Sequence, residues 1–310
     1  MKAAALLLVA LVLPFAVTGY HVFQLTQLVV YAIAILGLNL LTGYTGQISL
    51  GNGAFYALGA YAAAILMSHA HVPYWLTPPL AGALCFAAGY LFGRPAARLE
   101  GLYLALATFA LAVVTPQLLK HDRLAAWTGG SQGVVLEKPV SPLAFFTDDQ
   151  WLYVFCVVVA APLFVAGHRL VHSTTGRALT ALRDQPIAAA AMGIDVAHHK
   201  AVSFGISALY TGVAGALAAT LTGFVSPDSF PLALSIQLLV GGVVGGIASI
   251  AGSVVGAGFL ELVPALARQL SDRAPGVIDG VLLIVCMKLA PGGAAGLVRS
   301  MLRRWRSSSS

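Results

Sequence analysis

Residues 41–55 read LTGYTGQISLGNGAF, which sets Gly43, Gly46, Gly51 and Gly53 among Thr42, Thr45, Gln47, Ser49 and Asn52. Glycines this dense break a helix, and backbone freed at membrane depth is tolerated only when buried in protein or lining a wet cavity. Amides and hydroxyls beside such backbone can hydrogen-bond a small polar solute, whereas a fixed charge would trap an ion of opposite sign. Gly43, Gln47, Ser49, Gly51 and Asn52 are therefore a candidate pathway wall, and an ordinary turn between two spans is the plainer alternative. Glu261 and Asp279 also lie within apolar runs. A carboxylate in hydrocarbon costs a few kcal/mol, so each reads either as a proton carrier or as a protonated, hydrogen-bonded packing residue.

Other reactive residues point to little chemistry. His168 and His172 are four apart, and His198 adjoins His199, but no thiol or carboxylate cluster accompanies either pair, so they read as histidines at span ends rather than a metal site. Cys85, Cys156 and Cys286 each sit in an apolar run and read as small hydrophobes. No lysine follows a glycine in a phosphate-cradling loop, and neither a G-x-S-x-G elbow nor an HExxH pair is present. The sequence therefore predicts no enzyme and no cofactor in this chain.

The elements that must position these residues are membrane spans. The chain has 310 residues, of which 59% are hydrophobic and 9% charged, with a mean hydropathy of +0.88; a soluble domain carries roughly 25% charge. Apolar runs without alternation suit helices rather than the short alternating strands of a membrane barrel. The fold class read from this is an all-α membrane protein, one polytopic transmembrane bundle over residues 1–310 with about ten spans (8–10). They fall at residues 3–18, 22–41, 54–67, 74–93, 101–119, 151–167, 201–223, 232–250, 251–267 and 275–290. The third is too short to cross about 30 Å of hydrocarbon unless the glycine-rich segment before it also enters the membrane. Residues 1–18 read as a retained first span rather than a cleaved signal peptide.

Ten crossings from a cytoplasmic N-terminus put both termini inside, and of the 17 Lys and Arg, twelve fall inside and five outside, the bias expected of a correct threading. That charge sits in loops flanking the membrane, not in a patch with interleaved aromatics, so it does not point to nucleic acid. Two loops stand out. Residues 120–150 form a long extracytoplasmic loop carrying TGGSQG (128–133), either a partner-docking element or a plain turn. Residues 168–200 form a cytoplasmic insert in which 177–183 and 187–192 favour helix, Pro186 bends the chain and Gly193 terminates it. Such a bent pair makes a knob able to dock a soluble partner through Ala188–Ala191, with Arg177, Arg183 and Asp184 at a polar rim; a helix lying on lipid is the alternative. Gly241, Gly242, Gly245, Gly246, Gly252 and Gly256 repeat the GxxxG spacing of close helix packing, within the bundle or against a second permease.

The stretches GYTGQISLGNGAFYALGAY (43–61), GLYLALATFA (101–110), TGGSQG (128–133) and GRALTALRDQPIAAAAMGI (176–194) together resemble the permease subunits of branched-chain amino acid ABC transporters, of the LivM type. The resemblance covers most of the chain. It implies a bacterial inner-membrane importer in which this permease works with a second homologous permease, two ATP-binding cassette subunits that bind ATP and Mg, and an extracytoplasmic substrate-binding protein. It further implies that Gly176, Arg177, Ala178, Leu179, Arg183, Asp184, Ala188, Ala189 and Gly193 form the ATPase-facing coupling surface. A small neutral or zwitterionic amino acid is the expected substrate. The competing expectation is a proton-coupled secondary transporter that uses Glu261 or Asp279.

Overall fold

The computed structural model describes residues 19–99, 101–142 and 145–270. The first and tenth expected spans, Asp279, Cys286 and the Arg-rich tail lie outside the described residues. Within them the chain is almost wholly helical: α1 Tyr20–Leu38, α2 Asn52–Ser68, α3 Thr77–Ala96, α4 Leu102–Leu119, α5 Asp122–Thr128, α6 Asp148–His172, α7 Thr174–Asp184, α8 Pro186–Ala191, α9 Val196–Thr222, α10 Leu232–Gly245 and α11 Ile250–Leu270. A π-helical turn, Asn39–Gly43, extends α1. Two-residue strands β1 (Val134–Val135) and β2 (Phe224–Val225) pair antiparallel.

By length and composition, five segments can cross a membrane unaided: 20–43, 102–119, 148–172, 196–222 and 227–245. Helices α2, α3 and α11 complete the bundle between them. The contacts sort the helix ends into two groups. Ser68, Leu119, Thr128, β1 and β2 gather at one end, where Thr128 donates to the Leu119 carbonyl (2.8 Å) and Lys120 pairs with Asp228 (2.6 Å). Gly43, Gly93, Arg183, Lys200 and Ala248 gather at the other.

Helix α9 is the axis and packs on α3, α2 and α1. Its run of Ala and Gly explains why: small residues let backbones approach, which is how helices associate where lipid removes the hydrophobic drive between them. A Cβ on Gly215 would overlap the Tyr56 carbonyl of α2, and one on Gly59 would overlap the backbone of Gly212. By contrast, α4 and α6 are only 22% buried over their apolar windows. Leu102, Tyr103, Leu106 and Leu118 face outward from α4.

The GxxxG glycines serve the bundle itself. Cβ atoms on Gly245 and Gly256 would overlap the carbonyls of Gly252 and Gly241, so α10 and α11 form a hairpin in backbone contact. TGGSQG is likewise a packed turn. Gly129 caps α5 in the left-handed conformation (φ 69°), and a Cβ on Gly133 would overlap the Val225 carbonyl. Among its described residues, the expected loop 120–150 holds α5 and β1.

Candidate functional site

The glycine-rich segment is a crossroads within the protein. Residues 46–51 run non-helical from the α1 extension to α2, with Thr45, Gln47, Ser49, Gly51 and Asn52 buried. Helices α4, α9 and α10 and the α10–α11 turn supply its partners. Asn52 Nδ2 donates to Ser207 Oγ (3.3 Å) and Thr211 Oγ1 (3.1 Å), near the middle of α9. The Leu50 amide donates to Thr108 Oγ1 of α4 (2.9 Å), and the Gly53 amide to Ser235 Oγ of α10 (2.9 Å). Gln47 Nε2 donates to Thr45 Oγ1 (3.1 Å) and to the Lys200 carbonyl of α9 (3.4 Å). Tyr44 donates its hydroxyl to the Ala248 carbonyl at the α10–α11 turn (2.8 Å).

Non-helical backbone in a bundle requires partners within the protein, and the Leu50 and Gly51 amides find theirs in the Thr108 and Ser49 hydroxyls. Because Asn52 lies level with the mid-length of α9, the segment enters the bundle, as the shortness of α2 demands. Of the candidate pathway residues, Gly43, Gln47, Ser49, Gly51 and Asn52 are all turned into helix packing. They line neither of two surface clefts at the opposite end. The larger, about 570 Å³, lies between residues 67–74 and 135–140, and the smaller, about 240 Å³, beside Lys120 and Asp228.

Asn39 was missed by the sequence reading. Buried in the π-helical turn, it donates to Ser253 Oγ (2.9 Å) and the Ser249 carbonyl (3.3 Å), tying α1 to α11. Ser203, Ser207 and Thr211 were also passed over, although four-residue spacing sets them on one face of α9 and would have revealed a polar stripe. Asn52→Leu is expected to lower stability by about 0.6–2 kcal/mol, the range for polar contacts between membrane helices. Thr211 keeps its bond to the Ser207 carbonyl (2.8 Å) in that variant. Thermal unfolding in mild detergent measures this, and a loss of about 4 kcal/mol or more would mean that the cluster holds the bundle together alone.

The insert folds as two short helices. Ser173 Oγ accepts from the Gly176 amide (3.2 Å) and caps α7, Gln185 leaves helical geometry (φ −150°, ψ 80°), and Pro186 opens α8. Gly193, at φ 86°, ends it, with the Ile194 amide bonded to the Ala189 carbonyl (3.1 Å). That is the left-handed cap glycine favours.

The coupling residues expected from the resemblance separate into two sets. Gly176, Leu179 and Ala189 are buried and Ala178 is half-buried, so they seat the knob; Arg177, Asp184, Ala188 and Gly193 are exposed. Arg183 behaves differently from a simple surface residue. Its Nε donates to Asp184 Oδ1 (2.9 Å), and its Nη1 reaches inward to the Gly43 carbonyl (2.8 Å). Ile187 and Met192, absent from the expected set, are the large apolar side chains that stand out of the knob, 86% and 84% exposed.

Glu261 sits half-buried on α11. His172 Nδ1 is bonded to the His168 carbonyl (2.8 Å). Among the described residues, no three His, Cys, Asp or Glu side chains are grouped as metal ligands.

An apolar helical bundle with a buried polar crossroads and a knob at one end defines a multi-pass membrane protein of the transport class. The chain belongs to the family described as the permease component of the branched-chain amino acid transport system, whose model matches residues 20–288. It is therefore a permease component rather than an enzyme. It is 33% identical to the high-affinity branched-chain amino acid transport system permease protein LivM of Salmonella typhimurium, over 96% of this chain and 75% of the relative. The LivM of Escherichia coli K12 matches with the same identity and coverage. The permease LivH of Escherichia coli K12 is 24% identical over 86% of this chain and 91% of its own length. No solved structure matches significantly.

Proposed function

We propose that the chain is one permease subunit of an ATP-driven importer of branched-chain or similar small neutral amino acids in the bacterial inner membrane. Separate ATPase subunits drive it, a second, homologous permease completes the passage, and an extracytoplasmic binding protein delivers substrate. The observation that carries this reading is the knob. Helices α7 and α8 stand at one end of the bundle, present Ile187 and Met192 outward, and connect directly to the buried crossroads. A pore has no need of such an element, whereas a motor on another chain needs one.

Charge supports the side. Arg94, Arg98, Arg169, Arg177, Arg183 and Lys200 belong to the knob's end and Lys120, Arg123 and Lys138 to the other, which by the positive-inside bias makes the knob cytoplasmic. Gly43, Gln47, Ser49, Gly51 and Asn52 form the closed gate, and their uncharged donors suit a zwitterion that crosses without a counter-ion. Arg177, Asp184 and Ala188 ring the ATPase contact, for which Gly176, Ala178, Leu179, Ala189 and Gly193 set the shape. ATP and Mg bind the partner ATPases.

Reconstitution with the second permease and the two ATPases tests this reading. Labelled leucine should accumulate in vesicles only with ATP and the binding protein. Uptake by this chain alone in a proton gradient, lost in Glu261→Gln, would replace it with a secondary transporter.

A further inference from the structure

We propose that Arg183 is an internal latch, the residue that makes the knob and the glycine-rich crossroads move as one body. This inference rests on the ATP-driven reading and assigns its transmission step to a positioning residue, one that touches neither ATPase nor substrate.

The argument starts from the end of α1. The last carbonyls of a helix lack intrahelical partners and carry the negative end of its dipole, so a nearby cation or donor is favoured there. Gly43 ends the π-helical extension of α1, and its carbonyl receives Arg183 Nη1 at 2.8 Å across 140 residues of sequence. The guanidinium is itself held by Asp184 through Nε at 2.9 Å. A planar group fixed at two edges transmits displacement, whereas a single flexible contact absorbs it.

The segment is built to receive that side chain. Gly46 turns beneath it at φ 71°, and a Cβ there would lie 2.9 Å from Arg183 Cγ. On the other flank of Gly43, a Cβ would come within 2.5 Å of the Ala248 amide nitrogen, so the same residue is wedged against the α10–α11 turn. Ala248 holds a left-handed conformation (φ 61°), and the Tyr44 hydroxyl bonds its carbonyl. Gln47, bonded to the Lys200 carbonyl beyond the knob, gives a second tie at the same level. A shift of α7 therefore pulls on Gly43, which pushes on the hairpin and draws on the segment that leads to Asn52.

Two variants in the reconstituted transporter test the latch. Arg183→Ala should still co-purify with both ATPases and hydrolyse ATP, while ATP-driven leucine uptake falls at least tenfold. Loss of the ATPases from that variant would place Arg183 at the ATPase contact and overturn the latch, and undiminished uptake would overturn it equally. In Gly46→Cys combined with Arg183→Cys, the Cβ atoms stand about 3.7 Å apart, a separation that suits a disulfide. The reduced form should fall at least as far as Arg183→Ala, since Cys at φ 71° adds strain of its own. Oxidation should form the bond and restore uptake at least threefold, because a covalent link replaces the hydrogen bond to Gly43. Failure to cross-link, or cross-linking without recovery, refutes joint motion. Wild-type protein runs alongside; if its own uptake ignores ATP, the importer reading has failed, independently of the latch.

Discussion

Gly215→Ala should destabilise the bundle by about 3 kcal/mol or more, and Gly215→Leu should yield no folded permease. The crossing of α2 and α9 is made by backbone rather than by side chains. A methyl group on Gly215 would overlap the Tyr56 carbonyl, and one on Gly59 would overlap the Gly212 carbonyl. A flexible side chain could rotate away from an added methyl, but a carbonyl inside a helix cannot move without its helix. Since α9 packs on α1, α2 and α3 together, separating one pair opens the others. Gly258→Ala on α11 is the matched control, because its nearest neighbour would be Leu28 Cδ1 at 3.9 Å. There the change should be neutral, or stabilising by up to about 1 kcal/mol through helix propensity. Size-exclusion profiles after heating in mild detergent report both, and equal midpoints for Gly215→Ala and wild type would refute backbone contact at the crossing.

Features written as local pattern were legible in the sequence. Pro186 and Gly193 delimit α8 because one lacks an amide donor and the other tolerates φ 86°, and both constraints belong to the residue itself. Glycine spacing announced close packing at α10 and α11, although spacing alone left open whether the neighbour lay in this chain. Pairings over long sequence separation were not legible. Nothing near Arg183 marks Gly43 as its partner, and an arginine in a polar insert reads most simply as a surface charge. Asn39 was hidden for a related reason: a single amide in an apolar run shows its value only once Ser249 and Ser253 are brought beside it. Gln47, Ser49 and Asn52 were found as a group because glycine marked them, yet whether they face a cavity or one another is a property of the assembled bundle.

The pair Ile187→Ala and Met192→Ala should weaken ATPase binding to the solubilised permease by about 2–4 kcal/mol, roughly 30- to 1,000-fold in Kd. Both side chains protrude from the knob at 86% and 84% exposure, while Ala189 and Leu182 beneath them are buried. Large apolar groups that cover nothing in their own chain can gain free energy only by leaving water elsewhere. Alanine suits helix and fills no internal role at these positions, so the knob should keep its shape and any loss should belong to the contact. A lipid-facing role predicts a different pattern, because two side chains seated in the interface would alter membrane attachment of the knob and leave ATPase capture unchanged. Charges make poor neighbours for that interface as well: Ile187→Asp should abolish capture altogether, since an unpaired carboxylate would be buried on docking. Titration of labelled ATPase against each variant in detergent, where no bilayer exists to compete, separates these cases, and wild-type affinity in the double alanine variant would leave Arg177 and Asp184 as the contact instead.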